Sequence, residues 1–448
     1  MFFNSIEFSI FLPIIFFLYW FITNKNLKIQ NVLIIIASYI FYGWWDWRFL
    51  SLIIFSTLID YSIGILLYKE NNDRKRKLLL WISILVNIGF LGYFKYYNFF
   101  VDSFISTFSF FGANAGFSSI NIILPVGISF YTFQTLSYTI DIYKRKLKPT
   151  NDIISFGAFV CFFPQLVAGP IERATHLLPQ FYKKRHFDCK QAISGVNLII
   201  WGLFKKMVIA DNAALIVNGI FANYTNESSL SLLTGMLLFS FQIYCDFSGY
   251  SDIAIGVSRL FGFDLMNNFK FPYFSKNIRE FWNRWHISLS TWFRDYLYIP
   301  LGGSRVKKQR GLLNIFIVFI VSGLWHGANW TFVFWGFLHA LFFVPNFLFK
   351  DKIPTRNYHF NIKNLILILI NFLLVSMAWI FFRAENISDA FQYLKNIFLF
   401  TDGQTFFKKT NSYLLMTINA SIGILFLIIA EYRAMRKDKS EIKFSSAT

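Results

Sequence analysis

Six histidines carry much of the acid-base chemistry open to this chain, and two of them stand where an ionisable residue is costly. His326 falls in IVSGLWHGANWTFVFWG, at the end of one apolar run and just before the next. His286 falls in FWNRWHISLSTWFRD, where aromatic and polar residues recur at helical spacing. An imidazole titrates near neutrality, and an apolar surround keeps or lowers its pKa. The neutral ring can take a proton from a hydroxyl and so activate it against a thioester. The alternative for His326 is a neutral ring bonded to a neighbouring carbonyl, and the residue types leave both open. Gly323 and Gly327 flank His326, leaving room for a substrate or for close helix approach. His339, later in WGFLHALFF, reads as a buried polar partner. His176 and His186, in basic proline-containing loops, and His359, in a polar loop, read as solvated.

A further polar cluster is QIYCDFSGYSD at 242–252. Its Asp246, Tyr250 and Asp252 lie near the end of an apolar span, either lining a passage or anchoring helices through buried hydrogen bonds. No G-x-S-x-G elbow supports a covalent serine mechanism. Neither a Walker A loop nor a G-x-G-x-x-G fingerprint is present, which argues against an ATPase or a dinucleotide enzyme. Cys161, Cys189 and Cys245 are isolated, so no zinc site or disulfide framework is supported.

The elements that must position these residues are set by composition. The chain has 448 residues, 55% of them hydrophobic and only 15% charged, against about 25% charged in soluble domains. A soluble multidomain enzyme, a disordered chain and a secreted disulfide scaffold are thereby excluded. Lys and Arg number 43 against 24 Asp and Glu, a net +19. In a soluble chain that excess would point to nucleic acid; here it points to positively charged cytoplasmic loops. The basic residues gather at Lys69–Lys77, Lys144–Lys148, Arg305–Arg310 and Arg433–Lys443. With those runs in the cytoplasm most spans alternate consistently and the N-terminus lies outside. Apolar stretches fit spans near 6–23, 31–45, 50–68, 78–94, 122–142, 192–210, 230–248, 311–328, 330–349, 363–382 and 412–431. The first reads as a retained helix, since no basic region precedes it and no cleavage site follows. The broken stretches 99–111 and 153–169 fit short or re-entrant pieces. The expectation is an all-α polytopic membrane protein of about eleven spans. No internal repeat is visible, so 1–448 reads as one integral domain with a histidine-bearing core at about 120–350.

The stretch from about 270 to 310 interrupts this pattern. Trp285, Leu289, Trp292, Phe293 and Tyr296 would share one stripe of a helix, and Arg279, Asn283, His286, Ser290 and Arg294 a neighbouring polar one. Glu280 can pair with Arg284 at i+4. Such a helix lies in the membrane interface with its aromatic side in lipid, the commoner arrangement, or lines a polar cavity. Pro300 and Gly302-Gly303 end it.

These residues, taken together, resemble the membrane-bound O-acyltransferase (MBOAT) family, in particular its bacterial branch that O-acetylates alginate and peptidoglycan. The likeness is carried by LPVGISFYTFQTLSYTIDIY (124–143), FFPQLVAGPIER (162–173), YCDFSGYSDIAIG (244–256), FWNRWHISLSTWFRDYLYIPLGG (281–303) and SGLWHGANWTFVFWG (322–336). SYIFYGWW (38–45) and AWIFFRAEN (378–386) agree with it. Outside the shared histidine motifs the chain does not look like the D-alanyl-transferring branch. Cys245 stands where a bulky aromatic is expected.

The resemblance implies roughly a dozen membrane helices, with interfacial and re-entrant pieces, around a passage from a cytoplasmic acyl donor to an acceptor on the other side. It maps the family's invariant histidine onto His326 and a second, more variable polar position onto His286. Trp325, Asn283, Arg284, Trp285, Arg294 and Asp295 would shape the same site, Asp246, Tyr250 and Asp252 would line the passage or hold it together, and His339 would be a third candidate. It further implies acetyl-CoA as donor substrate with no bound cofactor or metal, an extracytoplasmic polysaccharide acceptor, a periplasmic serine-esterase-type partner and residence in the bacterial inner membrane. The rival readings are a transporter of acyl groups or glycan precursors, which would show two repeated halves with discontinuous helices, and a scaffold for an envelope complex.

Overall fold

A computed structural model describes residues 1–111, 120–167, 169–349, 361–399 and 411–437, with side chains in the last stretch from residue 415. His359, Lys439 and Lys443 lie outside the described residues. All regular elements among the described residues are helices. Eight helical runs among them are long and apolar enough to cross a bilayer. The chain is an all-α polytopic membrane protein.

It divides into two compact units, one of residues 1–196 with 254–266, the other of 197–253 with 267–448. In the first, polar residues in the loops set the helix starts. Asn26, Asn72 and Asp152 each lend a side-chain oxygen to the first turn of Leu27–Asp46, Asp73–Leu91 and Ile153–Cys161. The segment 153–169 is broken, as its sequence implies. Ile153–Cys161 stops at Phe162, and the one-turn helix Phe163–Leu166 restarts with Pro164, which has no N–H to give a preceding turn.

Several expected spans adjoin one another or shorten. The stretches at 31–45 and 50–68 form one run, Leu27–Lys69, because a 3₁₀ turn at Trp47–Phe49 joins their helices without a loop. Likewise 78–94 and 99–111 join as Asp73–Phe110 through a π-helical turn at Gly92–Tyr96. The 122–142 stretch becomes helical only from Ile128 to Tyr143, after a turn that places Gly127 at φ 76°, a region most L side chains avoid.

In the second unit, Lys308–His326 and Trp330–Leu348 form a tight hairpin. Two glycines make it possible. A Cβ on Gly323 would lie 2.2 Å from the carbonyl oxygen of Phe332, and one on Gly336 would lie 2.3 Å from that of Phe319. The helix backbones therefore touch where any side chain would hold them apart. Asn329 starts the second helix by accepting from the Thr331 N–H at 2.9 Å.

The stretch around His286 departs most from expectation. In place of one helix there are two short ones, Ile278–Trp282 and Ile287–Phe293, followed by a π-helical turn at Arg294–Tyr298. Between them the chain turns, and His286 takes φ 44°, ψ 53°. The aromatic stripe does not face lipid: Trp285, Leu289, Trp292 and Phe293 are all buried in protein. The interfacial arrangement is thereby replaced by a packed one. The Glu280–Arg284 pair forms as expected, at 2.8 Å.

Candidate active site

The turn and the hairpin bring the two histidine motifs of the second unit together. The His286 and His326 rings lie 6.3 Å apart, with Trp325 5.9 Å from the first and 5.0 Å from the second. No hydrogen bond joins His286 to His326. Aromatic rings wall the pair. Phe247 lies 4.6 Å from His286, while Trp335 and Phe382 lie 5.2 and 5.4 Å from His326. The two differ in exposure: His286 is buried, whereas His326, the last residue of its helix, is only half-buried.

His286 is held from one side. Its Nδ1 meets the Asn268 side-chain oxygen at 3.1 Å, and Asn268 also receives Ser288 Oγ at 2.9 Å and the Ser288 N–H at 3.3 Å. The Asn268 amide nitrogen donates to Ser251 at 3.2 Å. Its main-chain oxygen accepts the Ile287 N–H at 2.9 Å. On the other side, His286 Nε2 is buried and has no partner among the described residues. Burial, with His326 adding, holds the His286 imidazole well below its ordinary pKa, so the ring is neutral.

His339 is fully buried in a box of rings, 4.7 Å from Trp335 and 5.1 Å from Trp282, with Phe281 stacked on it at 6.3 Å. Neither of its nitrogens has a partner among the described residues. Trp335 thus stands between His339 and His326. Trp285 is one ring away from His286, through Phe269 at 5.1 Å.

Other expected site residues engage elsewhere. Arg284 bonds Glu280 and the Phe271 carbonyl, Asn283 is exposed, and Arg294 pairs with Asp295 at 2.7 Å on an exposed surface. Asp246 and Asp252 lie within the Ser229–Leu260 helix, which continues past them. They are met by two lysines of a π-helical segment, Phe204–Ala210. Lys205 reaches Asp252 at 2.7 Å and Ser248 at 2.9 Å; Lys206 reaches Asp246 at 2.6 Å and Asp211 at 2.7 Å. Gly202 and Gly249 let the two helices approach, since a Cβ on either would strike the other's carbonyl oxygen. Tyr250, on the same helix, is half-buried. Deeper in, Tyr244 donates to the buried Glu431.

Sequence reasoning missed Asn268, Ser288, Phe247 and Trp335, and the lysine partners of Asp246 and Asp252. The lysines were visible as charges inside an apolar span, a signal in itself. Asn268 carried none, being one polar residue in a loop well before His286 in the chain.

Comparison with known proteins identifies the family. The family model described as MBOAT, membrane-bound O-acyltransferase family, matches residues 143–385, a range that includes His286, His326 and His339. A protein of Pseudomonas syringae pv. tomato named "Probable alginate O-acetylase AlgI" is 40% identical over 405 residues, covering 90% of this chain and 76% of its own length. A peptidoglycan O-acetyltransferase of Helicobacter pylori is 35% identical over 415 residues, covering 86% and 77%. A teichoic acid D-alanyltransferase of Bacillus subtilis is 32% identical over 234 residues, 49% of this chain and 58% of its own. The likeness to that third protein therefore extends well beyond the histidine motifs.

Proposed function

Since the chain belongs to the membrane-bound O-acyltransferase family, we propose that it is an O-acetyltransferase that moves an acetyl group from a cytoplasmic thioester, acetyl-CoA, to hydroxyls of an extracytoplasmic polysaccharide of the peptidoglycan or alginate type. The observation that carries this reading is the histidine pair: a half-buried His326 beside a buried, neutral His286 within one aromatic wall. The O-acetylating relatives at 35–40% identity support the acetyl group and the glycan acceptor.

His326 is the general base or acyl relay, because it ends its helix and keeps access to the surroundings. It removes the proton of the attacking hydroxyl as that oxygen bonds to the thioester carbonyl carbon. The C–S bond then breaks, and the proton passes to the leaving thiolate. His286 orients a reactant. The surrounding rings exclude water, which would otherwise hydrolyse the thioester. The basic residues at 305–310 suit the phosphates of the donor at its cytoplasmic mouth. The acceptor hydroxyl belongs to the glycan or to the serine of a periplasmic esterase-type partner that completes the transfer, and the membrane is the bacterial inner membrane.

The test is His326→Ala in cells, with alkali-released acetate from the envelope as readout. The expected result is loss of O-acetyl esters while the protein inserts at wild-type levels. Unchanged acetate with normal insertion would overturn the reading and favour a transporter or scaffold.

A further inference from the structure

We propose that Asn268 is a positioning residue that fixes the tautomer of His286, leaving Nε2 as a bare hydrogen-bond acceptor that holds a hydroxyl of the acceptor, beside the one His326 deprotonates, rather than the thioester carbonyl. This rests on the acyl-transfer reading above and assigns His286 to one of the two reactants.

The assignment follows from three contacts. The Ser288 backbone N–H lies 3.3 Å from one atom of the Asn268 amide. A backbone N–H only donates, so that atom is the oxygen, and the orientation of the amide is settled without reference to the imidazole. The amide nitrogen then faces Ser251 Oγ at 3.2 Å, a competent acceptor. His286 Nδ1 lies 3.1 Å from the same amide oxygen. An amide oxygen only accepts, so Nδ1 bears the hydrogen. In a neutral imidazole the other nitrogen then holds the lone pair.

That nitrogen, Nε2, is buried and unpartnered among the described residues. A buried polar atom without a hydrogen bond costs about 1–3 kcal/mol, and native structures rarely keep one without a use. A bare Nε2 accepts a hydrogen; it has none to give. It can therefore seat an O–H, and it cannot stabilise the oxygen of a thioester as negative charge develops there. The polar groups of the turn are arranged for this. His286 sits in the left-handed region, which costs a residue with a Cβ about 1 kcal/mol or more. The turn is held by the Ile287 N–H on the Asn268 carbonyl and by the Lys270 N–H on the Arg284 carbonyl, both at 2.9 Å. The backbone strain and the amide clamp turn the ring inward with Nδ1 occupied and Nε2 free.

The experiment uses the full chain in lipid nanodiscs, labelled with ¹⁵N-histidine, with the His286 signal identified by its loss in H286Q. At neutral pH the wild type should show His286 protonated at Nδ1 and bare at Nε2; the opposite tautomer overturns the proposal, and this reading needs no variant at Asn268 to fold. Turnover is followed as CoA thiol released from acetyl-CoA in the presence of peptidoglycan fragments or alginate. Asn268→Leu should lower kcat roughly 100-fold, the scale of a misplaced reactant, with KM for acetyl-CoA within about twofold. Asn268→Asp should restore most of the rate, because a carboxylate oxygen accepts the same N–H. It should also move the acidic limb of the pH–rate profile upward, since an anion beside Nδ1 favours the imidazolium; His326 is the titratable group that faces His286 across the site. Full activity in Asn268→Leu, or equal loss in both variants with both folded, overturns the proposal. Retained envelope acetylation in His326→Ala would instead sink the acyl-transfer reading, while the NMR result still decides the tautomer.

Discussion

Two buried polar networks, one in each unit, both draw on serine and asparagine and differ in how they end. In the first unit Asp60 accepts from Ser83 at 2.6 Å and from Asn87 at 2.9 Å. Ser56 and Thr135 each donate to Asn87 at 3.1 Å, and the Ser83 and Thr139 hydroxyls lie 3.0 Å apart. The donors come from Leu50–Lys69, Asp73–Leu91 and Ile128–Tyr143, three helices packed on one another. Both Asp60 oxygens are occupied. In the second unit the Asn268, Ser288 and Ser251 network is as well made on its near side, but its last member, His286, ends in an unfilled nitrogen. Networks closed on themselves fasten helices where water cannot. A network left open by one atom is shaped for something that arrives.

That contrast predicts different failures. The largest expected effect is on chemistry without folding: His326→Ala should reduce acetyl transfer about 10²- to 10⁴-fold, with an unchanged melting temperature in detergent. Asp60→Ala should do the reverse. It leaves the Ser83 hydroxyl and Asn87 amide short of an acceptor, at about 1–3 kcal/mol for each unsatisfied group, so yield and melting temperature fall while the folded fraction keeps its specific activity. An Asp60→Ala protein that is stable and inactive would erase the distinction between the two networks.

Much of this was legible beforehand, and what was not shares a cause. Charge scarcity and apolar runs announce a polytopic helical protein, and His326 and His286 stand out because ionisable groups are costly in apolar surroundings. The break at Asn283–His286 was not legible: its residues follow a helical stripe, and only the tertiary clamp from Asn268 makes a left-handed histidine tolerable. Trp335 read as one aromatic among many, and became a neighbour of His326 through a hairpin whose closeness depends on Gly323 and Gly336. The lysines opposite Asp246 and Asp252 were visible as charges, but pairing across helices is not written in spacing. Where one apolar stretch meets the next was not legible either, because short 3₁₀ and π turns join neighbouring helices without a polar loop.

The glycines offer a way to disturb the open network without touching either histidine. Gly323→Ala places a Cβ against the Phe332 carbonyl, and backbone cannot move aside as a side-chain tip can. The hairpin must shift, at about 1–3 kcal/mol for overpacking, and His326, in the next turn of the same helix, shifts with it. Transfer should drop about tenfold, since small misplacements of a reacting group are costly. The matching control is Gly89→Ala in the first unit, where a Cβ meets nothing within 4 Å; it should be silent in both rate and stability. Equal effects at the two glycines would mean that the hairpin contact does not set the position of His326.

The smallest effect concerns a histidine that, unlike His286, is satisfied and accessible. His176 Nδ1 lies 2.7 Å from Glu172, whose carboxylate is buried and also receives the Met266 N–H. The hydrogen bond to Glu172 raises the His176 pKa above its ordinary 6.5. A group whose folded pKa is raised stabilises the fold fully below its unfolded pKa, and that contribution fades as pH climbs through the folded value. The first unit should therefore be most stabilised by this pair below about pH 6.5 and lose the benefit above the raised value. The imidazole is 46% exposed, and solvent screening reduces the pair to about 0.5 kcal/mol. Comparing melting temperatures of the wild type and His176→Gln at pH 5.5 and pH 8.5 isolates it. The gap should be measurable at the lower pH and close at the higher one, while transfer measured at a single pH is the same in both proteins. A gap that widens with rising pH would reverse the sign and show that the pair is held by the neutral ring.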